Sequence, residues 1–314
     1  MTDITATPDV GYDRVAYDLV TYFPFYFELY FDRFASVKPT RTSTRGAVIN
    51  FNKTNSLALA DTPIDESVDI TASVLSDSDT PITLSEYGNA AKTTAKLRAT
   101  GMIELDPIVA ETIGVNAGQS MDSVASLPFF AGTQVAYGGV ATSRITIAAT
   151  SKMSAHLVRL AFARLSAASV PRLGGGYFGA ILHPDVAIDL KEETGQGAWR
   201  TPREYVDPAN IYNGELGEFE GFRFVVSPRA RMLANASSTT VDVYQSAFFG
   251  GQAIAKGYST GGDYGEQPAF GLTPTTDNLE RFKGMYWKHF VGYGVFRNES
   301  LFRVESSSSI GVNT

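Results

Sequence analysis

Between residues 44 and 94 the chain has the makings of strands but not of a core. Gly46–Phe51 (GAVINF) reads as a strand. Val68–Val74 (VDITASV) alternates apolar and polar residues as a half-buried strand does, and Pro81–Leu84 (PITL) reads as a third. The pieces between them, Ala60-Asp61-Thr62-Pro63 and Ser76-Asp77-Ser78-Asp79, carry turn chemistry. Large apolar side chains are sparse for the length of the segment. A two-stranded excursion of this kind is marginal in water on its own. It needs a surface to lie on, and a second subunit is the support expected. The chain must therefore combine a body that holds its own core with a projection that does not.

The remaining sequence can supply the body. At 314 residues and 44% hydrophobic, there is room for two domains or one large elaborated one. Asp106-Pro107 opens a helix, with Asp as N-cap and Pro in the first turn. Ile108, Val109, Thr112, Ile113, Asn116, Gln119, Val124 and Leu127 continue it to Pro128. Val140–Ala149 reads as a strand around Arg144–Ile147. A second helix starts at Thr150 or Ser151, carries Met153, Leu157, Leu160, Ala161, Arg164 and Leu165, and stops at Ser169-Val170-Pro171. Strands follow at Tyr177–Leu182, Gly221–Val226, Val241–Tyr244 and Ala253–Lys256. Trp287–Val304 forms one or two long strands, and Ser306–Thr314 is expected to be a mobile polar tail. The class is α+β. Residues 12–34 are crowded with rings, among them Tyr12, Tyr17, Phe23, Phe27, Phe31 and Phe34. They form either a core segment or an arm laid on a neighbouring subunit.

Leu173–Leu190 (LGGGYFGAILHPDVAIDL) is the stretch with the most suggestive chemistry. Gly174, Gly176 and Gly179 match G-x-G-x-x-G, but they follow a helix and precede a strand. A dinucleotide site needs the reverse order, so that a helix N-terminus meets the pyrophosphate. His183-Pro184-Asp185 lacks a nucleophile elbow of the G-x-S-x-G type. It reads as a helix start, with Asp185 capping a short helix from Val186 to Lys191. The other histidines, His156 and His289, are not spaced as ligand pairs. Gly250–Gly257 has glycines and Lys256 but no Lys-Ser/Thr ending. Glu192-Glu193 and Asp61/Asp65/Glu66 read as surface acids. Arg41, Arg45, Lys53, Lys92, Lys96 and Arg98 read as charges scattered along the excursion.

The chain contains no cysteine, which excludes disulfides, thiolate metal sites and cysteine catalysis. Its formal charge of -7 is not that of a protein built to grip nucleic acid. The first residues show no secretory signal, and no apolar run is long enough to span a membrane. The sequons at Asn52, Asn235 and Asn298 are read as chance matches. No catalytic, cofactor-binding or metal-ligating residue is assigned.

The order of parts resembles the major capsid protein of tailed bacteriophages, of the Hong Kong 97 type. The resemblance is carried by ITLSEYGNAAKTTAKL (Ile82–Leu97), with its Tyr87-Gly88 step after the extended loop, and by the helix Asp106–Leu127. It continues in the glycine, strand and histidine-proline stretch 174–190, then in Asn213–Pro228, Tyr244–Gly257 and Tyr286–Ser307. It implies four parts. These are an N-terminal arm (1–43), an extended loop lying over a neighbour (44–94), a peripheral domain with a long spine helix (95–150 and 285–314), and an axial domain (151–284). It further implies self-assembly into hexamers and pentamers of a shell that holds double-stranded DNA without specific binding. Separate scaffolding, decoration and portal proteins would be partners, and the location would be the virion, built in the host cytoplasm. Some relatives join subunits through a lysine and an asparagine. Lys53 and Asn298 have the right types, but nothing specifies their pairing and no cross-link is expected. Two other readings stand beside this one: a nanocompartment shell of the same fold, and a soluble hydrolase using His183.

Overall fold

The computed structural model describes residues 30–39, 47–193 and 215–310, apart from positions 56, 62, 64–65, 68, 70–71, 102–104, 175, 263 and 274–276. The aromatic residues before Tyr30, as well as Arg41, Arg45, Asp65 and the last four residues, lie outside the described set.

The described chain enters through a 3-10 turn at Asp32–Phe34 and a short strand β1 (Ser36–Pro39). Strands β2 (Val48–Thr54) and β3 (Asp77–Thr83) form an antiparallel hairpin, with Ile49 opposite Ile82. β4 (Ser85–Thr94) leads into the short helix α1 (Ala95–Thr100), capped by Thr94, whose Oγ1 accepts from Leu97 N at 3.1 Å. The long helix α2 (Leu105–Ser126) follows, then β5 (Val135–Tyr137), α3 (Ala155–Ala167), β6 (Phe178–Leu182) and α4 (Pro184–Glu192). Beyond these come β7 (Glu215–Phe219), β8 (Phe222–Val226), β9 (Met232–Leu233), β10 (Val243–Phe249), β11 (Ile254–Tyr258), β12 (Ala269–Thr273), β13 (Phe282–Val295) and β14 (Leu301–Ser306).

The strands form two larger sheets. In the first, the 14-residue β13 carries β4 along one edge, while β11 and β12 share the other and β1 pairs in parallel outside β11. Helix α2 lies on this sheet. Ile113, Ala117 and Met121, spaced four apart on one face, pack on Trp287 and Val291. Trp287 Nε1 donates to Asn116 Oδ1 at 3.0 Å, so the indole is buried with its polar end satisfied.

The second sheet has the order β5-β14-β10-β6-β8-β7, with β9 beside β10. Every residue of β6 and β10 is buried. Both faces of these strands are covered, and β6 (FGAIL) accordingly reads as a continuous apolar run. One face packs α3 and α4 through Leu157, Ala161, Leu165, Val186 and Leu190, against Phe178, Phe222, Phe224 and Phe248. The other meets Phe31, Phe129, Phe130 and Phe249. Glu305 on β14 is fully buried and accepts from Arg144 Nε at 2.8 Å, Arg144 Nη2 at 2.5 Å and Gln245 Nε2 at 2.8 Å. Burial pushes its carboxyl up, but the Arg144 and Gln245 hydrogen bonds outweigh that and hold it below the usual carboxylate range.

Four expectations are corrected. Residues 72–76 carry no strand, and the partner of β2 is instead drawn from residues 77–83, including the acids read as a turn. That register buries Ile49, Phe51 and Ile82 against the chain's own sheet, whereas Val74 finds nothing to pack on. Arg144–Thr146 is a 3-10 turn rather than a strand, because Thr146 Oγ1 takes the Ser143 and Thr142 amides and closes the backbone locally. The second helix begins at Ala155, later than expected. The tail is docked as far as it is described. Ser306, Ser307 and Ser308 are buried, Ser307 N donates to Ser151 O at 3.0 Å, and Ser309 N donates to Asp189 Oδ2 at 3.0 Å.

Candidate assembly surface

The histidine-proline turn is structural. His183 itself is the N-cap of α4, with its Nδ1 accepting from Asp185 N at 3.3 Å, and Pro184 opens the helix. The cap expected at Asp185 is therefore held by His183. Asp185 lies in the first turn and accepts from the Tyr244 hydroxyl at 3.0 Å. Burial lowers the His183 pKa, with Asp185 opposing, so the ring favours the neutral form in which Nδ1 can accept. No described hydroxyl or thiol stands as a nucleophile on this histidine. Gly176 adopts a φ of +89° in an open turn, and Gly179 lies in β6, where an added Cβ would sit 2.5 Å from the Phe249 ring. The glycines serve a turn and a close packing contact, not a phosphate.

Five of the other candidates are likewise occupied. Lys53 pairs with Glu299, and Asn298 bonds Thr133 through both its amide nitrogen and its carbonyl. Arg98 donates to Thr93 Oγ1, and Glu193 accepts from Ala155 N at 2.6 Å at the start of α3. Lys256 is buried against Asp32. Among the described residues no cluster of His, Asp and Glu could hold a metal ion, and no helix is long and apolar enough to cross a membrane.

The described surface leaves apolar area unburied in several places, and two of them bear on assembly. The root of the β2–β3 hairpin is seated on its own chain: Ile49, Phe51, Ile82 and Leu84 pack on Ala255, Phe290 and Phe296. Gly292 and Gly294 make that approach possible, since a Cβ at either would lie 2.2 Å from Thr83 O or 2.3 Å from Ile82 Cδ1. Lys38 on β1 adds a clasp, with Nζ 2.5 Å from Asn50 O and above the Phe51 ring. Past the root the support ends. Leu59 is 88% and Val74 89% exposed. Residues 55–76 also hold four acids, Asp61, Asp65, Glu66 and Asp69, and no lysine or arginine.

The second place is a groove of about 440 Å³ between α2 and β12, lined by Ile113, Phe270, Leu272, Met285 and Tyr286. Phe270 and Leu272 point outward, 58% and 70% exposed. Arg98 and Lys283 line the adjoining pocket, which shares Leu272 and Met285 with it. The sequence had marked neither β12 nor this groove. The alternation of AFGLT across Ala269–Thr273, two large apolar residues on one face, was the available signal.

A projecting hairpin beside a long helix on a sheet is an architecture with known relatives. The family model described as phage capsid protein matches residues 34–310. The chain belongs to that phage capsid protein family. Among solved structures, it is similar to the capsid of Ralstonia phage GP4, with a TM-score of 0.79 at 15% identity over 98% of this chain and 99% of that one. The cyanophage Pam1 capsid asymmetric unit gives 0.68 at 12% identity, over 99% and 100%. The mature capsid of bacteriophage PhiM1 gives 0.62 at 13%, over 88% and 86%. Comparison with curated protein sequences gives no match. The fold is thus of the Hong Kong 97 type, and the protein is a structural major capsid protein of the virion rather than an enzyme. As a capsid protein it associates with itself.

Proposed function

We propose that the chain assembles in the host cytoplasm into hexamers and pentamers of an icosahedral shell around double-stranded DNA. In each ring the acidic, apolar hairpin tip of one subunit seats against the apolar groove of the next, beside Arg98 and Lys283. The observation that carries this reading is the pair of uncovered surfaces, matched in hydrophobicity and opposite in charge. Such a contact joins two different patches, so it is heterologous, and it builds rings where the rotation between subunits closes. Each subunit is then held by several neighbours at once, and modest contacts add up.

The four-part division into arm (1–43), extended loop (44–94), peripheral part (95–150 and 285–314) and axial part (151–284) belongs to the same proposal. Strand pairing supports one refinement: β11 and β12 go with β13 and α2 in the peripheral part, and β14 goes with β10 in the axial part. The formal charge of -7 supports a container that holds its DNA without gripping it. Scaffolding, decoration and portal proteins would be separate chains.

A mixing experiment tests the tip-in-groove contact. Leu59→Asp at the tip and Leu272→Asp in the groove are each expected to stop ring formation in sedimentation velocity. Mixed together, the two variants retain one intact tip and one intact groove, and are expected to form heterodimers that grow no further. Rings from either variant alone, or no association on mixing, would overturn the contact.

A further inference from the structure

Strand β12 stands at one end of the first sheet. Among the described residues it pairs with β13 alone, so its outer edge keeps backbone amides and carbonyls open. Phe270 and Leu272 lie opposite Trp287 and Met285 of β13, and therefore share the face on which α2 packs. Helix α2 does not cover them. Ile113 and Gly114 form the near wall of the groove, and a Cβ on Gly114 would meet nothing within 4 Å. The same row of β13 continues past Met285 to Lys283, which is exposed and lines the adjoining pocket. Along this uncovered face two apolar positions are thus followed by a cation, in steps of two residues.

Residues 57–61 of the hairpin tip carry the complement. Leu57-Ala58-Leu59-Ala60-Asp61 alternates large and small side chains. On an extended backbone both leucines and the acid fall on one side, and both alanines on the other. All five residues are exposed, and none belongs to a helix or strand of its own chain. Resting on the tip-in-groove reading, we propose that residues 57–61 of one subunit add to the open edge of the neighbour's β12 as a parallel strand. Leu57 then lies beside Phe270, Leu59 beside Leu272, and Asp61 reaches Lys283. Same-face residues of any extended chain recur at about 6.7 Å, so the three contacts form together without distortion. Backbone pairing supplies affinity, while the leucines and the acid fix the register.

The direction and the source of the strand both follow. Run antiparallel, Asp61 would fall on the Phe270 ring and lose Lys283, leaving a carboxylate against an apolar surface. A strand from the same subunit starts on the wrong side. The hairpin root packs on Phe290, Gly292 and Gly294, whereas α2 packs on Trp287 and Val291. Successive side chains of a strand point to opposite faces, so the root sits on the face of β13 away from α2 and the groove. The tip leaves from that far face, and in its own subunit Leu59 stays 88% exposed. The groove is therefore filled by the next copy of the chain.

Because the chain has no cysteine, disulfide trapping can read the register. Full-length protein carrying Leu59→Cys with Leu272→Cys is expected to give covalent ladders on non-reducing denaturing gels after mild oxidation. Leu57→Cys with Leu272→Cys, two residues out of register, is expected to give few. Asp61→Lys and Lys283→Asp should each weaken self-association by about tenfold in sedimentation, and restore it when combined in one chain. Equal ladders from the two cysteine pairs, or a combined charge reversal no better than either change alone, would overturn the proposed strand. Ladders from Val74→Cys with Leu272→Cys in place of Leu59→Cys would overturn it too, while leaving the tip in the groove. Ladders from no tip position would bring down the tip-in-groove reading itself.

Discussion

Strand β10 and the tip of the β2–β3 hairpin treat apolar side chains in opposite ways. All seven residues of β10 are buried, between α3 and α4 on one side and the phenylalanine cluster of Phe31, Phe129 and Phe130 on the other. At the tip, Leu57, Leu59, Val74 and Leu75 are exposed, although the hairpin root a few residues away packs on the chain's own sheet. One region is complete within a single chain, and the other leaves its apolar side chains uncovered. On the proposed tip-in-groove contact, folding and assembly are assigned to different residues. Changes in β10 should act on stability first, and changes at the tip on association alone.

The sharpest way to break this contrast is to hollow out β10. Phe248→Ala removes a ring packed edge-on against Phe222 and Phe224. It is expected to cost about 4 kcal/mol in urea denaturation. Glu305→Gln comes next. It leaves Arg144 and Arg303 facing a neutral amide in a buried site, and an expected loss of about 3 kcal/mol can be read from the same denaturation curves. Glu305 also sets an acid limb. Its folded-state pKa is depressed, so its stabilisation is present above about 4.5 and is lost as pH falls through the lower folded value. In Glu305→Gln the stability of the protein should fall less steeply below that pH.

His183→Ala should cost about 1 kcal/mol through loss of the α4 cap, seen as a lower melting temperature. Self-association should persist, which separates a structural cap from a catalytic histidine. The smallest effect on the folded chain is expected at the tip. Leu59→Asp should change unfolding free energy by less than about 0.5 kcal/mol, while sedimentation shows the loss of assembly. A large destabilisation there would mean that the tip is seated on its own chain after all.

Much of this contrast was legible in the sequence. The paucity of large apolar residues in 44–94 marked the projection, and the helical spacing of Val109, Thr112, Ile113 and Asn116 marked α2. Local chemistry failed where tertiary contacts decided. Val68–Val74 has the alternation of a strand, yet Val74 has no sheet of its own to face, and the hairpin pairs through Asp77–Thr83 because that register buries Ile82. The serines at the C-terminus look like a solvated tail but are taken up by Asp189 and the Ala149–Ser151 backbone, more than a hundred residues away in sequence. The buried Glu305 carried no spacing signal, because its contacts come from distant segments.

The most direct test of the central claim is electron cryomicroscopy of the purified full-length protein, with light scattering alongside. Closed shells or rings of five and six subunits are expected, with residues 55–76 of each subunit resting against Phe270 and Leu272 of its neighbour. Particles in which that tip stands free in solvent, or a protein that stays a monomer at every concentration and salt condition, would contradict it.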